Sequence, residues 1–147
     1  MSVMLASKIV RNKHGTHQTV LGDEQLIKLA GKDTDGKFLL IEQNSNPGVG
    51  IPMHVHKNED EVFRVIEGKL KVFCAEKEFI LSAGDTVFCP RNIPHSWEVI
   101  GEERAKILLM NFPSGLETML GELADIKEPY DWNEVSVISK RYGIDFV

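Results

Sequence analysis

Apolar and polar positions alternate in short runs over most of the chain, and Gly, Pro, Asn and Asp break the runs. Alternation with a period of two marks half-buried strands. It predicts short strands at 8–10, 19–21 and 25–29, a turn at 33–36, and a strand at 37–42 that leads into a loop over 44–50. Another strand begins at 53–55. Along residues 61–67 both faces are mainly apolar, so if Glu61 points inward, Phe63 and Val65 do too, while Val62, Arg64 and Ile66 point out. An outer face carrying Val62 and Ile66 needs cover, which predicts a homodimer with Arg64 near its interface. Gly68 turns the chain into a hairpin partner at 69–75, followed by strands at 78–81, 86–89, 95–100 and 104–112.

After Pro113 the period changes. Ser114 and Glu117 have capping-box spacing, and Leu116, Met119, Leu120 and Leu123 recur at helical spacing. Asp131 and Glu134 repeat the capping pattern ahead of Val135, Ile138 and Tyr142, with Trp132 inside the same run and Gly143 placed to stop the helix. Closely spaced strands punctuated by turn residues read as an all-β antiparallel sandwich or barrel, here closed by two short C-terminal helices. No internal repeat or low-complexity linker divides the chain. The expectation is one domain over 1–147, with the barrel at about 20–112 and a helical segment at about 114–142.

Composition narrows the function classes. The 147 residues are 42% apolar and 27% charged, ordinary values for a soluble globular domain. Seventeen basic against 22 acidic residues give a net charge of −5, which argues against a nucleic-acid surface. No apolar run approaches the roughly 20 residues of a membrane helix, and the start, MSVMLASKIVRNK, lacks the apolar core of a signal peptide. A cytoplasmic protein with no membrane or nucleic-acid partner is expected. Cys74 and Cys89 are isolated and fit no metal or redox spacing, so they read as small buried apolar side chains.

The chemistry concentrates in residues 48–68, GVGIPMHVHKNEDEVFRVIEG. His54 and His56 stand two apart, so on a strand both imidazoles face one side and reach one ion. Glu61 follows, opening the apolar strand. Its neighbours Glu59 and Asp60 are expected to face solvent, and His14 and His17, in a polar stretch, read as surface residues. A third histidine, His95, ends the stretch GDTVFCPRNIPH at 84–95. Three imidazoles and a carboxylate suit one divalent transition metal such as iron, nickel, cobalt, manganese or zinc, whereas calcium wants oxygen ligands. They leave open coordination positions and a net charge of about +1, enough to hold and polarise an anionic substrate oxygen.

These stretches resemble the two motifs of the cupins. Gly48, His54, His56, Glu61 and Gly68 match the first motif, and Gly84, Pro90 and His95 match the second. Asn92 stands where the family has Gly and Val99 where it has Asn. Asn is the residue that next best tolerates the left-handed conformation of a turn glycine, while Val99 withdraws a polar group from the turn. The resemblance runs from about residue 21 to 147, and its C-terminal part is similar to small quercetin-dioxygenase-like cupins.

That resemblance implies a double-stranded β-helix, or jelly-roll barrel, with His54, His56, Glu61 and His95 as metal ligands. Trp97 shares the strand parity of His95, and with Met53, Phe63, Val65 and Phe88 it is expected to wall an apolar substrate pocket. The implied activity is a metal-dependent dioxygenase acting on a small oxygenated, flavonol-like or enolic compound, with Glu61 also accepting the substrate proton. Two other readings are a non-catalytic small-molecule-binding or sensor protein and a sugar-phosphate isomerase or epimerase. The last would want a basic phosphate cradle, for which only Lys57, Arg64 and Arg91 lie near the motifs.

Overall fold

The computed structural model describes residues 4–147. Strands β1 (Thr16–Val20), β2 (Asp23–Leu29) and β3 (Leu39–Ser45) open the chain, with one helical turn, α1 (Gly31–Thr34), between β2 and β3. Then follow β4 (Gly50–His56), β5 (Asp60–Glu67), β6 (Lys69–Cys74), β7 (Lys77–Ser82), β8 (Thr86–Cys89), β9 (His95–Ile100) and β10 (Ala105–Phe112). Helices α2 (Leu116–Leu123) and α3 (Trp132–Arg141) and a last strand, β11 (Ile144–Phe146), complete it. The strands form two antiparallel sheets, ordered β1-β2-β3-β10-β5-β8 and β11-β4-β9-β6-β7.

Alternation along the strands decides what lies between the sheets. Leu39, Ile41, Phe63, Val65 and Ile107 from the larger sheet meet Leu70, Val72, Trp97 and Val99 from the smaller one in one buried cluster. Their partners in the alternation are half-buried or, as at Arg64 and Lys69, exposed, as a sheet with one covered face requires. Glu61, Phe63 and Val65 point inward and Arg64 outward, as the alternation predicts.

Close backbone approach sets two glycines. Gly68 turns β5 into β6 at φ +82°, and a Cβ there would stand 2.8 Å from the Ala105 Cα. Gly50 lies where β4 crosses β9, and a Cβ on it would run into the Trp97 carbonyl and come within 2.8 Å of the Glu98 Cα. These two strands carry His54 and His95, so a side chain at Gly50 would wedge apart the elements that hold the histidines.

The structure departs from the sequence pattern in four places. Residues 8–10 form no strand, and Ile9 is exposed with no partner strand to cover it. The turn expected at 33–36 is half helical, because α1 ends on the left-handed Asp35. At α2 the cap residue is Gly115 and Ser114 makes no capping bond, although Glu117 accepts from the Gly115 N–H and, at 2.7 Å, from the Gly31 N–H. Finally, β11 is absent from the pattern because three residues are too few to show a period, yet it pairs with β4 and brings Phe146 beside His54. At α3 the expected cap forms: the Asp131 carboxylate accepts from the backbone N–H groups of Asn133 and Glu134. No helix among the described residues is long and apolar enough to cross a membrane.

Candidate metal centre

The strands deliver the four polar groups to one point. On β4, His54 and His56 face the interior, and the β4–β9 register sets His54 opposite His95, with an irregularity between Ile51 and His54 that re-aims the strand. Glu61 enters from β5, and its register partner on β10 is Asn111. In the turn before His95, Asn92 adopts φ +67°, the conformation expected of it in place of the motif glycine, and its N–H donates to the His56 carbonyl at 2.8 Å. Val99 is buried, and its backbone donates to Val49 and accepts from Gly48, each at 2.8 Å, so main-chain pairing ties β9 to the loop ahead of β4.

One ligand atom from each of His54, His56, Glu61 and His95 lies within 4.8 Å of the others, and all four residues are buried. His95 Nε2 stands 2.7 Å and His56 Nε2 3.4 Å from Glu61 Oε2. The opposite ring nitrogens are tied down: His54 Nδ1–H donates to the Pro52 carbonyl at 2.7 Å, and His56 Nδ1–H to Glu59 Oε1 at 3.3 Å. That pairing assigns the lone pair of each imidazole to Nε2, toward the cluster. Among the described residues, His56 Nε2 is buried with no hydrogen-bond partner. An ion with ligand bonds of about 2.0–2.2 Å separates its ligand atoms by about 3–4 Å, so the cluster fits a transition metal and gives His56 Nε2 a partner.

The same groups set one another's charge. Burial first, and then the neighbouring His95, hold the His54 imidazole down at about 3, which keeps it neutral and fit for ligation. Burial alone would raise Glu61, but His56, His95 and His54 outweigh it and pull the carboxyl well below its ordinary range. Burial would likewise lower His56, yet Glu61 and Glu59 raise it. Ligation requires the imidazoles neutral, so a cation bound here would compete with protons for the ring nitrogens.

The cluster opens on a cavity of about 80 Å³. Trp97 lines it together with Ile51, Leu109 and Phe146. Phe63 stands one layer behind, its ring 6.3 Å from those of both His95 and Trp97, and Val65 is fully buried deeper in the core. Two other expected wall residues are elsewhere. Met53 has the opposite parity to His54 and lines a groove on the outside of the smaller sheet with Lys71 and Trp132. Phe88 pairs with Val62 on the outer face and is 58% exposed. The C-terminal helices cover the cavity: Leu116, Met119 and Leu123 of α2 and Val135 of α3 form its roof.

Glu59 corrects the expectation of a solvent-facing carboxylate, since it is buried and orients His56. Asp60 is half-buried and pairs with Arg91 at 3.1 Å. Asn111, which the sequence reading passed over, donates from Nδ2 to Glu61 Oε1 at 2.8 Å. Its signal is legible afterwards: in the inward series Ala105, Ile107, Leu109, Asn111 it is the one polar member. His14 and His17 are exposed. Cys74 and Cys89, far apart in sequence, are neighbours on the strands behind His95 and Glu61; burial and then the other thiol push Cys89 up, so the pair remains an unreactive part of the core.

Comparison with known proteins agrees with this architecture. Residues 41–111 match the family described as Cupin domain. The chain is 28% identical over 119 residues to quercetin 2,3-dioxygenase of Bacillus subtilis, covering 80% of this chain and 34% of that protein. An uncharacterized protein of Methanocaldococcus jannaschii is 31% identical over 61 residues, 42% of this chain and 49% of that one. The chain therefore spans between a third and a half of the length of these curated relatives. Among solved structures, a predicted oxalate decarboxylase from Thermotoga maritima superposes with a TM-score of 0.67 at 21% identity, covering 72% of this chain and 99% of that one. The Cupin domain match over residues 41–111 and the similarity to quercetin 2,3-dioxygenase support a small cupin superfamily protein, and the solved structure shares its fold.

The second carboxylate gives this centre a direct test. Glu59→Ala leaves His56 free to rotate and is expected to lower metal affinity by about 10- to 100-fold, measured by competition with a coloured chelator, without loss of fold. Unchanged affinity would assign Glu59 to packing alone.

Proposed function

We propose that the protein is a metal-dependent enzyme of the dioxygenase type that acts on a small enolic or hydroxylated compound. The observation that carries this reading is the buried His54–His56–Glu61–His95 cluster facing a roofed, mainly apolar cavity that Trp97 walls. A divalent transition metal held there would bind and polarise an anionic substrate oxygen and bring dioxygen to it. The protein's own groups do the rest. Trp97, Leu109 and the α2 side chains exclude water and orient an apolar substrate body. Asn111 fixes Glu61 through Oε1, so Oε2 is the oxygen placed to ligate, and Glu61 is the one ionisable ligand that would have a spare oxygen to take a substrate proton.

Size favours the enolic members of the expected class over flavonols. Pockets for drug-sized ligands run from about 300 Å³ upward, and about 80 Å³ under the closed roof admits a compound of few heavy atoms. The similarity to the Bacillus quercetin 2,3-dioxygenase supports oxygen chemistry as the reaction class, at 28% identity over part of that protein's length. A sugar-phosphate reaction is disfavoured because Lys57, Arg64 and Arg91 all lie off the cavity, two of them paired with Asp145 and Asp60 and the third exposed.

The outer face of β5 and β8 extends the proposal to a homodimer. Phe88 and Ile66 are exposed there beside Arg64, whose Nη1 donates to Thr86 Oγ1 at 3.3 Å. Light scattering at micromolar concentration is expected to give twice the chain mass, and a monomer alone would remove the dimer.

Oxygen consumption by the iron-, nickel- or manganese-loaded protein, screened over short enols and hydroxy ketones, tests the activity. Glu61→Gln is expected to lower turnover by about 100-fold while metal content falls less than tenfold. Equal loss of both would confine Glu61 to ligation. Ligand-induced stabilisation with no oxygen uptake by the wild type would make the protein a binder or sensor.

A further inference from the structure

The metal cluster is not the sole polar feature of the cavity. Along β3 the inward face runs Leu39, Ile41, Gln43, Ser45, changing from apolar to polar halfway. On the neighbouring β2 the inward residues Asp23 and Gln25 continue that polar patch, with Gln25 opposite Gln43 in the register. All four are buried, and Asp23, Gln25 and Gln43 line the same cavity as His54, His56 and Glu61.

Their hydrogen bonds are asymmetric. Asp23 is saturated: Gln43 Nε2 donates to its Oδ2 at 2.6 Å, Gln25 Nε2 donates to the same oxygen at 2.9 Å, and Ser45 Oγ donates to Oδ1. Gln25 and Ser45 fix the Asp23 carboxylate, and the bond from Gln43 Nε2 to it holds Gln43 by its amide nitrogen and so fixes which way its oxygen points. That oxygen, Oε1, is buried and finds no hydrogen-bond partner among the described residues. Gln43 itself is 1% exposed. Leaving a buried acceptor unpaired is costly, and a network built to orient such an acceptor makes sense where an incoming group completes it.

The register also separates this patch from the metal. Gln43 lies opposite Ile107 on β10, whereas Asn111, which steadies Glu61, lies opposite Leu39, four residues further along the same strand. The cavity thus has two polar poles at different levels, with Leu109 and Trp97 among the apolar residues that wall it.

We infer that Gln43, held by Asp23, is a specificity residue whose Oε1 accepts a hydrogen bond from a hydroxyl or N–H at the far end of the ligand. The inference rests on the metal-site reading above for the near end of the ligand, an anionic oxygen, and adds the requirement for a donor at the other end. It assigns the substrate class as short bifunctional compounds, such as a carboxylate or enolate with a distal hydroxyl.

The test is calorimetric titration of the full chain, manganese-loaded, with straight-chain carboxylic acids of three to six carbons and with their terminally hydroxylated counterparts. At one chain length the hydroxy acid should bind about tenfold tighter than its parent acid, the effect of satisfying one buried acceptor. Gln43→Met should abolish that advantage and leave the affinity of the parent acid within about threefold. Gln43→Asn, which withdraws the amide by one methylene, should move the advantage to the acid one carbon longer, and serves if the Met variant does not fold. Equal affinity of the two series at every length, absence of binding by either series, or a hydroxyl preference that survives in Gln43→Met would each overturn the inference. The same titration on chelator-stripped protein separates the two claims. A hydroxyl preference that persists at undiminished affinity without metal supports the Gln43 pole while contradicting the metal anchor.

Discussion

Everything in this structure depends on burying three imidazoles and a carboxylate together inside an apolar barrel. Such groups are expensive to desolvate singly, so the arrangement persists only if each is satisfied. The protein meets the condition from outside the cluster: the Pro52 carbonyl and Glu59 take the Nδ1 hydrogens of His54 and His56, and the Asn111 amide takes one oxygen of Glu61. What remains unsatisfied, His56 Nε2, points at the space the ligand atoms enclose. The residual demand is for a cation, and the fold is arranged so that only the inner ends of the ligands can supply the bonds.

That demand also explains the strand geometry. Two histidines two apart reach one ion only if β4 is extended, and the third arrives only if β9 pairs with β4 in a single register. Gly50 permits that pairing by the absence of a side chain against the Trp97 carbonyl. The helices then convert an open barrel mouth into a roofed chamber, through Leu116, Met119, Leu123 and Val135. On the proposed reading, a polar contact such as Gln43 in this largely apolar chamber would discriminate between ligands.

Much of this was legible in the residue pattern, for identifiable reasons. The strands at 86–89 and 95–100 are bounded by turn residues, so the pattern predicts both with the bounds the structure gives. The four ligand positions were legible because ligation imposes a spacing on a periodic element. What escaped was set by tertiary contact rather than period. Glu59 looks like one of three consecutive acidic residues until the turn folds it under His56. Phe88 looks like a core aromatic, but the Glu61–Cys89 register puts its neighbour inside and Phe88 outside. Met53 fails for the same reason of parity. β11 and Phe146 escaped because a three-residue strand carries no pattern, and the Asp23–Gln43 patch because a buried polar network reads in sequence like ordinary surface.

The central claim is that His54, His56, Glu61 and His95 together hold one divalent transition ion. Elemental analysis of protein purified without an affinity tag or chelator, in parallel with His54→Ala, tests it most directly. The account predicts about one iron, nickel, cobalt, manganese or zinc ion per wild-type chain and little in the variant, with both chains folded. Wild-type protein that binds no ion even after reconstitution, or a variant that binds as much as the wild type, would contradict it.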